Sequence, residues 1–369
     1  MSITVIVPTY NRAHLLDHSL GSLIAQTRAP EQIIVVDDGS ADDTEIRVRK
    51  YLDRVEYLRK PNGGKSSAIN LALQRAIGEY IWIFDDDDVA FQDALERHLN
   101  VLEDPEIGFT YSSYIRCVEK PDGSLEPGDD AKTPKLTHRD LFCRLLESNF
   151  ICHPSMVVRA SCYREVGPYD ESLPRSQDYE MVLRLARKFR ADMIDGPTYF
   201  RRYNEDLRGP ARDRFVVRDY GTKAHKYEKV IFERLYDGLD LREYLPRDCV
   251  WNRRQALLNR MAVMAVRGLW DKASRDLIEA SRIPGQLTSE EVRSLWSAMR
   301  NPLGLGDLKD LERVRCGGRM QHELAKGIYY AVRKEDLPLR EKARLCGMIA
   351  RLVSLSGVIR DIKSKQDTA

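Results

Sequence analysis

The first hundred residues alternate short apolar runs with segments of helical periodicity. Residues 3–7 form an apolar run rich in β-branched side chains, and residues 12–26 then place leucine and isoleucine at helical spacing. The alternation recurs at residues 33–36, 55–58 and 80–84, each followed by a segment compatible with a helix. Apolar strands joined by such helices predict a parallel sheet covered on both faces, with right-handed crossovers. We therefore expect an α/β fold with a doubly wound, mostly parallel sheet.

Beyond this region the pattern changes twice. A strand is expected at 109–118, and a mixed segment with an apolar stretch at 155–158 and a helix follows. After about residue 210 the periodicity is mainly helical, with breaks at proline and glycine. We predict two domains, residues 1–210 and 211–369, the second mainly α-helical.

The formal net charge of +2 hides an asymmetry between these two parts. Residues 211–369 hold 32 Lys+Arg against 22 Asp+Glu, and residues 1–210 hold 27 against 35. An acidic first part and a basic second part suggest two different roles. No recognised nucleic-acid-binding module occurs, so we expect no nucleic-acid partner.

Cysteine usage and hydropathy indicate a cytoplasmic protein. The seven cysteines are odd in number and lack any C-x-x-C pair, which argues against a disulfide framework or a zinc site. The N-terminus lacks a basic region, so its apolar run is expected to be a strand and not a signal peptide. No stretch approaches the roughly 18 apolar residues that span a bilayer. Any membrane association is expected to be peripheral, at the inner face of the membrane.

Polar residues follow each of the first four predicted strands. They are Pro8-Thr9-Tyr10-Asn11, Asp37-Asp38-Gly39-Ser40, Asn62-Gly63-Gly64-Lys65 and Asp85-Asp86-Asp87-Asp88. In doubly wound sheets, ligands bind beyond the carboxyl ends of the strands, so we expect these residues to meet at one edge.

The run Asp85 to Asp88 is the strongest chemical feature. Four consecutive carboxylates repel one another unless a cation or hydrogen-bond donors neutralise them. A hard divalent cation, Mg2+ or Mn2+, is the natural partner for oxygen ligands of this kind. The alternative is a solvated acidic turn that caps the next helix.

The other strand ends have a ligand-binding and a structural interpretation each. The carboxylate of Asp37 or Asp38 is suited to accept hydrogen bonds from a base or ribose; alternatively, it only caps the next helix. Lys65 at a helix start is suited to bind a phosphate; alternatively, it is only solvated. Its loop is not a Walker A motif, because Arg59 stands where that motif needs glycine.

Several segments together resemble the family 2 glycosyltransferases with the GT-A fold. They are VIVPTYNR (5–12), VVDDGS (35–40), NGGKSSAIN (62–70) and GEYIWIFDDDD (78–88), followed by ICHPSMVVR (151–159) and VGPYDESLPRSQDYEMVLRLAR (166–187). The order and spacing of these segments are more specific than any one of them. The resemblance covers about the first 205 residues and leaves out the helical remainder.

The resemblance implies a nucleotide-sugar donor, most often a UDP-sugar, with Mn2+ or Mg2+ as cofactor and inverting transfer to an acceptor hydroxyl. Carried over by position, the donor-binding residues are Pro8, Thr9, Tyr10, Asn11, Asp37, Asp38, Lys65, Asp85 and Asp86. The implied metal ligands are Asp87 and Asp85.

Asp178 falls at the position of the family's catalytic base, and Gln177 replaces the glutamate that usually precedes it. His153 and Gln177 match positions on the acceptor side. Tyr203 stands where many relatives carry a histidine after the base, so the aspartates are expected to hold the cation largely unaided. A base opposite the leaving diphosphate is what direct displacement at the anomeric carbon requires.

We expect an enzyme that moves a sugar from a nucleotide-sugar to a glycan or lipid-linked saccharide, in bacterial polysaccharide or glycan synthesis. The alternatives are a sugar nucleotidyltransferase and a non-catalytic nucleotide- or glycan-binding protein. The basic part has three interpretations: a solvated appendage, a surface for an anionic acceptor, or a surface for peripheral membrane contact. Within it, residues 344–362 combine an apolar stripe with arginines, which suits an anionic bilayer or packing against the first domain.

Overall fold

The computed structural model describes residues 1–120, 123–136, 138–203, 220–246 and 249–284, together with 288, 291 and 294. The chain divides into two compact units, one holding Met1–Leu145 and Asn149–Tyr220 and the other holding Leu146–Ser148 and the chain from Gly221 onward. The predicted amphipathic segment 344–362 lies outside the described residues. The separate roles of residues 1–210 and 211–369 stay a prediction.

A single sheet organises the first unit. In the described part of the chain its strands are β1 (Ile3–Thr9), β2 (Gln32–Asp37), β3 (Glu56–Arg59), β4 (Tyr80–Ile83), β5 (Val89–Ala90), β6 (Ile107–Glu119), β7 (Leu125–Asp130), β8 (Met156–Arg159) and β9 (Arg190–Tyr203). The order is β3-β2-β1-β4-β8-β6-β9-β5, with β7 paired to β6. Strands β1 to β4 pair in parallel, whereas β8 is antiparallel to both of its neighbours. The predicted α/β sheet is confirmed, and it becomes mixed beyond β4.

Helices connect these strands. They are α1 (Ala13–Ile24), α2 (Thr44–Val48), α3 (Lys65–Leu73), α4 (Ala94–Leu102), α5 (His138–Glu147), α6 (Ala160–Val166) and α7 (Gln177–Lys188). Each of the four predicted N-terminal strands is present and is followed by a helix or a turn that leads to one. The strand predicted at 109–118 is the central part of β6.

The apolar runs are continuous because both faces of the sheet are covered. Every residue of β1 and of β4 is buried. Trp82 in β4 is fully buried, and its Nε1 donates to the Pro154 carbonyl at 2.9 Å. Its ring meets that of Phe84 edge-on, with centroids 4.8 Å apart. This packing holds β4 in place, and the acidic turn begins at Asp85, one residue after Phe84.

The second unit is helical where it is described. It holds α8 (Tyr220–Gly238) from its second residue, α9 (Arg253–Val266) and α10 (Trp270–Arg282). Arg260 on α9 binds Asp276 on α10 at 2.7 Å, and the Arg267 guanidinium lies 3.9 Å from the Phe232 ring centroid. The predicted helical region is thus confirmed over these residues. In the described part of the chain, no helix is both long enough and apolar enough to cross a membrane.

Candidate functional site

A cleft of about 210 Å³ opens at the carboxyl ends of β1, β2, β3 and β4. It is lined by Pro8, Thr9, Tyr10, Arg12, Asp38, Asn62, Gly64, Lys65, Ala68, Asp85, Asp86, Asp87, Asp88, Cys152, Pro174, Arg175, Ser176, Gln177, Asp178 and Arg201. Residues from all four predicted strand ends therefore meet at one edge, as parallel strands require.

The acidic run is neither solvated nor a helix cap. Asp86, Asp87 and Asp88 are only 3–4% exposed, and the run connects β4 to the short strand β5. One carboxylate oxygen each from Asp85, Asp87 and Asp88 lies within 4.8 Å of the others. Such a set of hard oxygen donors fits Mg2+ or Mn2+. The predicted pair Asp85 and Asp87 thus comes together, and Asp88 joins it.

Two cations lie against this acidic run. Lys65, the first residue of α3, binds Asp85 at 2.5 Å. Arg12, at the start of α1, lies 2.9 Å from Asp86 and 3.1 Å from Asp87. Burial alone lowers the pKa of Lys65, but Asp85 beside it raises that pKa above its ordinary value. Both cations are therefore charged, and they balance part of the acidic cluster.

Asp88 is oriented by the end of β9. Its Oδ1 accepts the backbone N–H of Arg202 at 3.0 Å. The Arg202 guanidinium is buried, binds Glu119 at 2.7 Å and donates to Nδ1 of His18 at 2.9 Å. Burial raises the pKa of Asp88 well above its ordinary range, and the neighbouring Asp87 carboxylate adds to the shift. A cation at the cluster would lower that pKa again.

Asp38 anchors the loop between β3 and α3. Its carboxylate accepts from the backbone N–H groups of Gly63 at 2.9 Å and Gly64 at 2.7 Å. It also accepts from Lys60 Nζ at 2.7 Å and Asn62 Nδ2 at 3.1 Å. The loop is thereby tied to the end of β2, with Asn62 and Gly64 at the cleft wall.

Two of the implied donor residues do not line the cleft. Asp37 is 1% exposed, accepts the Ser40 N–H at 2.7 Å and accepts the Tyr57 hydroxyl at 2.6 Å. Asn11 has a left-handed φ of 54°, and its side chain accepts the Ala41 N–H at 2.7 Å. Both side chains hold the turns after β1 and β2, which is a structural use of polar groups at strand ends. Their contact with a donor stays a prediction.

The start of α7 brings Gln177 and Asp178 into the lining of the same cleft. Ser176, just before the helix, has a left-handed φ of 56°, which turns the chain sharply into α7. Asp178 is half-buried, and its Oδ1 accepts the Tyr179 N–H at 2.8 Å. Within the described residues, Oε1 of Gln177 is buried and has no hydrogen-bond donor. An amide oxygen in that position suits a ligand hydroxyl.

His153 lies behind the cleft and not in its wall. Its ring is 2% exposed and hydrogen bonds through Nε2 to the Tyr169 hydroxyl at 3.1 Å. Burial lowers the pKa of His153 to about 4, and the charge of Lys65 acts in the same direction. Its neighbour Cys152 lines the cleft instead. The acceptor role of His153 stays a prediction.

The sequence did not single out three charged residues of the cleft, Arg12, Arg175 and Arg201, and it indicated Asp88 only as part of the acidic run and not as a metal ligand. Arg12 and Asp88 lie inside the quoted motifs and so were within reach of sequence reasoning. Arg201 lies at the end of β9, with Nη1 donating to the Tyr114 hydroxyl at 3.0 Å. Tyr203 is 50% exposed and lies outside the cleft lining, so Arg201 takes the cleft position in that segment.

The charges of the cleft do not cancel. Six carboxylates (Asp38, Asp85, Asp86, Asp87, Asp88 and Asp178) and four cations (Arg12, Lys65, Arg175 and Arg201) line it. With every carboxylate ionised, the lining has an excess of two negative charges, and Lys60 outside the lining pairs with Asp38 at 2.7 Å. A divalent cation at Asp85, Asp87 and Asp88 would favour that ionised state.

Comparison with known proteins supports the sequence resemblance. Residues 4–167 match the description "Glycosyl transferase family 2". An uncharacterized glycosyltransferase of Rickettsia felis is 30% identical over 189 residues, which cover 50% of this chain and 31% of that protein. Chondroitin synthase of Pasteurella multocida is 26% identical over 248 residues, covering 64% of this chain and 25% of that protein. The chain thus spans less than a third of the length of these two relatives.

A crystal structure of S. aureus TarS in complex with UDP-GlcNAc has the same fold. Its TM-score is 0.56 at 19% identity, and the match covers 88% of this chain and 91% of that one. The family match includes strands β1 to β8, and the fold shared with that structure agrees with the arrangement of the strand ends. Residues 4–167 of the chain are thus similar to glycosyl transferase family 2.

Proposed function

We propose that the protein is a metal-dependent inverting glycosyltransferase that moves a sugar from a nucleotide-sugar, with UDP as its nucleotide, to an acceptor hydroxyl. The observation that carries this proposal is that one cleft brings together an oxygen cluster, a lysine and the carboxylate of Asp178. The acceptor we propose is a glycan or a lipid-linked saccharide in bacterial polysaccharide or glycan synthesis. The chondroitin synthase relative, itself named for a polysaccharide, supports that choice.

The donor would lie along the strand ends. Tyr10 and Pro8 suit the faces of a base, and the loop held by Asp38 suits the ribose. Asp85, Asp87 and Asp88 would hold Mn2+ or Mg2+, which when bound supplies positive charge beside the diphosphate. Lys65 would donate to the diphosphate from the start of α3, where the helix dipole also favours an anion.

Asp178 would act as the general base. Its carboxylate takes the proton of the acceptor hydroxyl while the hydroxyl oxygen bonds to the anomeric carbon. The bond from that carbon to the diphosphate oxygen breaks on the opposite side, and the diphosphate leaves with the bonding electron pair. The products are the glycoside with inverted configuration and the nucleoside diphosphate. Gln177 would hold the acceptor through its buried amide oxygen.

A panel of UDP-sugars, assayed for UDP release with Mn2+, tests this proposal. We expect at least one donor to release UDP, and Asp178→Asn to slow that release roughly a hundredfold to ten-thousandfold. Binding of UDP to the variant, measured by calorimetry, should stay close to wild type.

UDP binding without release from any donor would favour the non-catalytic alternative. Release of pyrophosphate from UTP and a sugar phosphate would favour the nucleotidyltransferase. Near wild-type transfer by a folded Asp178→Asn variant would place the base elsewhere.

A further inference from the structure

Internal cations already occupy two of the three carboxylates in the oxygen cluster. Lys65 lies 2.5 Å from Asp85, and Arg12 lies 3.1 Å from Asp87. The Arg12 side chain is only 14% exposed, so solvent screens its charge weakly. These two side chains thus place positive charge on the carboxylates where a divalent cation would otherwise place it.

A divalent cation and these side chains would compete for the same oxygens. Coordination of a cation by Asp85 and Asp87 places its charge beside Lys65 and Arg12, and like charges at such distances repel. The competition is relieved if an anion arrives with the cation and takes over the displaced side chains. A diphosphate is such an anion, because its oxygens accept from both ammonium and guanidinium groups.

Arg12 is attached so that it can release Asp87 without leaving the cleft. Its Nη1 also lies 2.9 Å from Asp86, which is not part of the oxygen cluster. Asp86 is 3% exposed and follows β4 after two residues, so it offers a fixed second partner. Arg12 can therefore turn from Asp87 towards a bound anion and keep a counter-charge throughout.

We propose that Arg12 and Lys65 are exchangeable counter-ions that make divalent-cation binding depend on the nucleotide diphosphate. Without ligands, the two side chains neutralise the acidic cluster. When the cation binds to the carboxylates, the two side chains bind to the diphosphate instead. The cation alone binds weakly, the two ligands strengthen each other, and by linkage the strengthening is equal in both directions. This inference rests on the proposed function only in that the cleft takes a cation and a nucleoside diphosphate.

Titration of the full chain with Mn2+, followed by electron paramagnetic resonance, tests the inference without any turnover. For the wild type we expect UDP to tighten Mn2+ binding at least about tenfold, and uridine, which has no phosphate, to leave it unchanged. Arg12→Gln should tighten Mn2+ binding without UDP about tenfold, because a repelling charge is gone. The same variant should bind UDP more weakly than wild type in the presence of Mn2+.

Simple damage to the fold would weaken the binding of both ligands. The inference instead predicts tighter Mn2+ binding and weaker UDP binding. Arg12→Lys keeps the charge and should stay within about threefold of wild type in Mn2+ affinity. Arg47→Gln removes a surface arginine that binds Asp17 at 2.8 Å, and it should change neither affinity. If Arg12→Gln does not fold, Lys65→Met removes the counter-ion of Asp85 and should show the same pair of changes.

Two results would overturn the inference: unchanged or weaker Mn2+ binding in a folded Arg12→Gln variant without UDP, or a wild type in which UDP leaves Mn2+ affinity unaltered. Arg12 would then only fasten α1 to the acidic turn. Coupled binding of Mn2+ and UDP without sugar transfer from any donor would reject the proposed function and retain the inference. The two hypotheses are therefore tested separately.

Discussion

Four neighbouring aspartates have different surroundings. Asp85 binds Lys65, Asp86 and Asp87 share Arg12, and Asp88 accepts the Arg202 N–H. Identical side chains in one run are thus distinguished by what the fold places against each of them. A simple alternation of side-chain direction does not explain which aspartates form the oxygen cluster, because the consecutive residues Asp87 and Asp88 both belong to it.

At this scale, Asp87→Ala tests the metal assignment. Loss of an outer contact at a metal site typically costs 10- to 100-fold in affinity, so loss of a ligand should weaken Mn2+-dependent UDP binding at least about tenfold. Calorimetry of UDP with and without Mn2+ measures this effect. Asp53→Ala, at an exposed aspartate outside the cleft, is the matched control. Normal Mn2+-dependent binding by Asp87→Ala would rule this ligand out.

Two buried histidines predict how stability depends on pH. Burial lowers the pKa of His98 from 6.5 to about 3 and that of His153 from 6.5 to about 4. Below pH 6.5 the unfolded chain binds protons that these folded rings do not, so the free energy of unfolding falls as pH falls. Between about pH 6 and 4 we expect a loss of up to roughly 1.4 kcal/mol per pH unit for each ring.

Urea unfolding of the protein across this pH range measures that slope. His98→Gln should flatten it, whatever the variant does to stability at neutral pH, because one of the two titrating rings is gone. The same slope in wild type and variant would mean that His98 is not kept neutral by its surroundings.

At the scale of elements, the turn after β2 and the loop after β3 form one piece of the cleft wall. Gly39 has a left-handed φ of 81°, and a Cβ there would lie 2.8 Å from the Asn62 backbone nitrogen. Asp38, one residue earlier, holds the same loop through Gly63 and Gly64. Two features therefore bring the loop close to the end of β2: the hydrogen bonds to Asp38, and the absence of a side chain at Gly39.

Gly39→Ala tests this close approach. The substitution adds strain in φ and pushes the loop away, so we expect a loss of about 1–3 kcal/mol in the free energy of unfolding and weaker UDP binding. Gly21→Ala is the control, because Gly21 lies in α1 with nothing within 4 Å of its added Cβ. That variant should be neutral or stabilised by up to about 1 kcal/mol. Equal effects of the two substitutions in urea unfolding would contradict the proposed contact.

At the scale of the whole molecule, charge divides the chain into an acidic and a basic part. Residues 211–369 hold 32 Lys+Arg against 22 Asp+Glu. We propose that this part supports peripheral contact with an anionic membrane surface. Each basic residue near such a surface contributes about 1 kcal/mol, and salt screens the attraction.

Co-sedimentation of the full chain with vesicles tests this contact. We expect binding to vesicles that contain phosphatidylserine, a decrease between about 50 mM and about 300 mM salt, and no binding to phosphatidylcholine alone. Binding that ignores both salt and lipid charge would reject an electrostatic membrane contact. A solvated appendage, or a surface for an anionic glycan, would then be the better interpretation of the basic part.

The sequence by itself determined the strands β1 to β4, their parallel direction and the gathering of their polar ends at one edge. The physical reason is that the hydrophobic pattern can be seen within a few residues of the chain. A continuous apolar run indicates a strand covered on both faces, and parallel strands end on the same side of the sheet. Asp38, Lys65, Asp85 and Asp87 were recognisable at these strand ends, whereas Asp178 came only from the resemblance to the family 2 glycosyltransferases. All five residues line the cleft.

Only the tertiary structure decided which polar residues face the cleft and which hold its turns. Asp37 and Asp38 are adjacent, yet Asp37 accepts the Ser40 N–H within the turn and Asp38 lines the cleft. The reason is that successive side chains of an extended chain point to opposite sides. Arg201, Arg202 and Tyr203 likewise differ in surroundings, and the pairing of β6 with β9 sets those differences. Contacts between residues 74 positions apart, such as Arg12 with Asp86, depend on the packed sheet and on no local pattern.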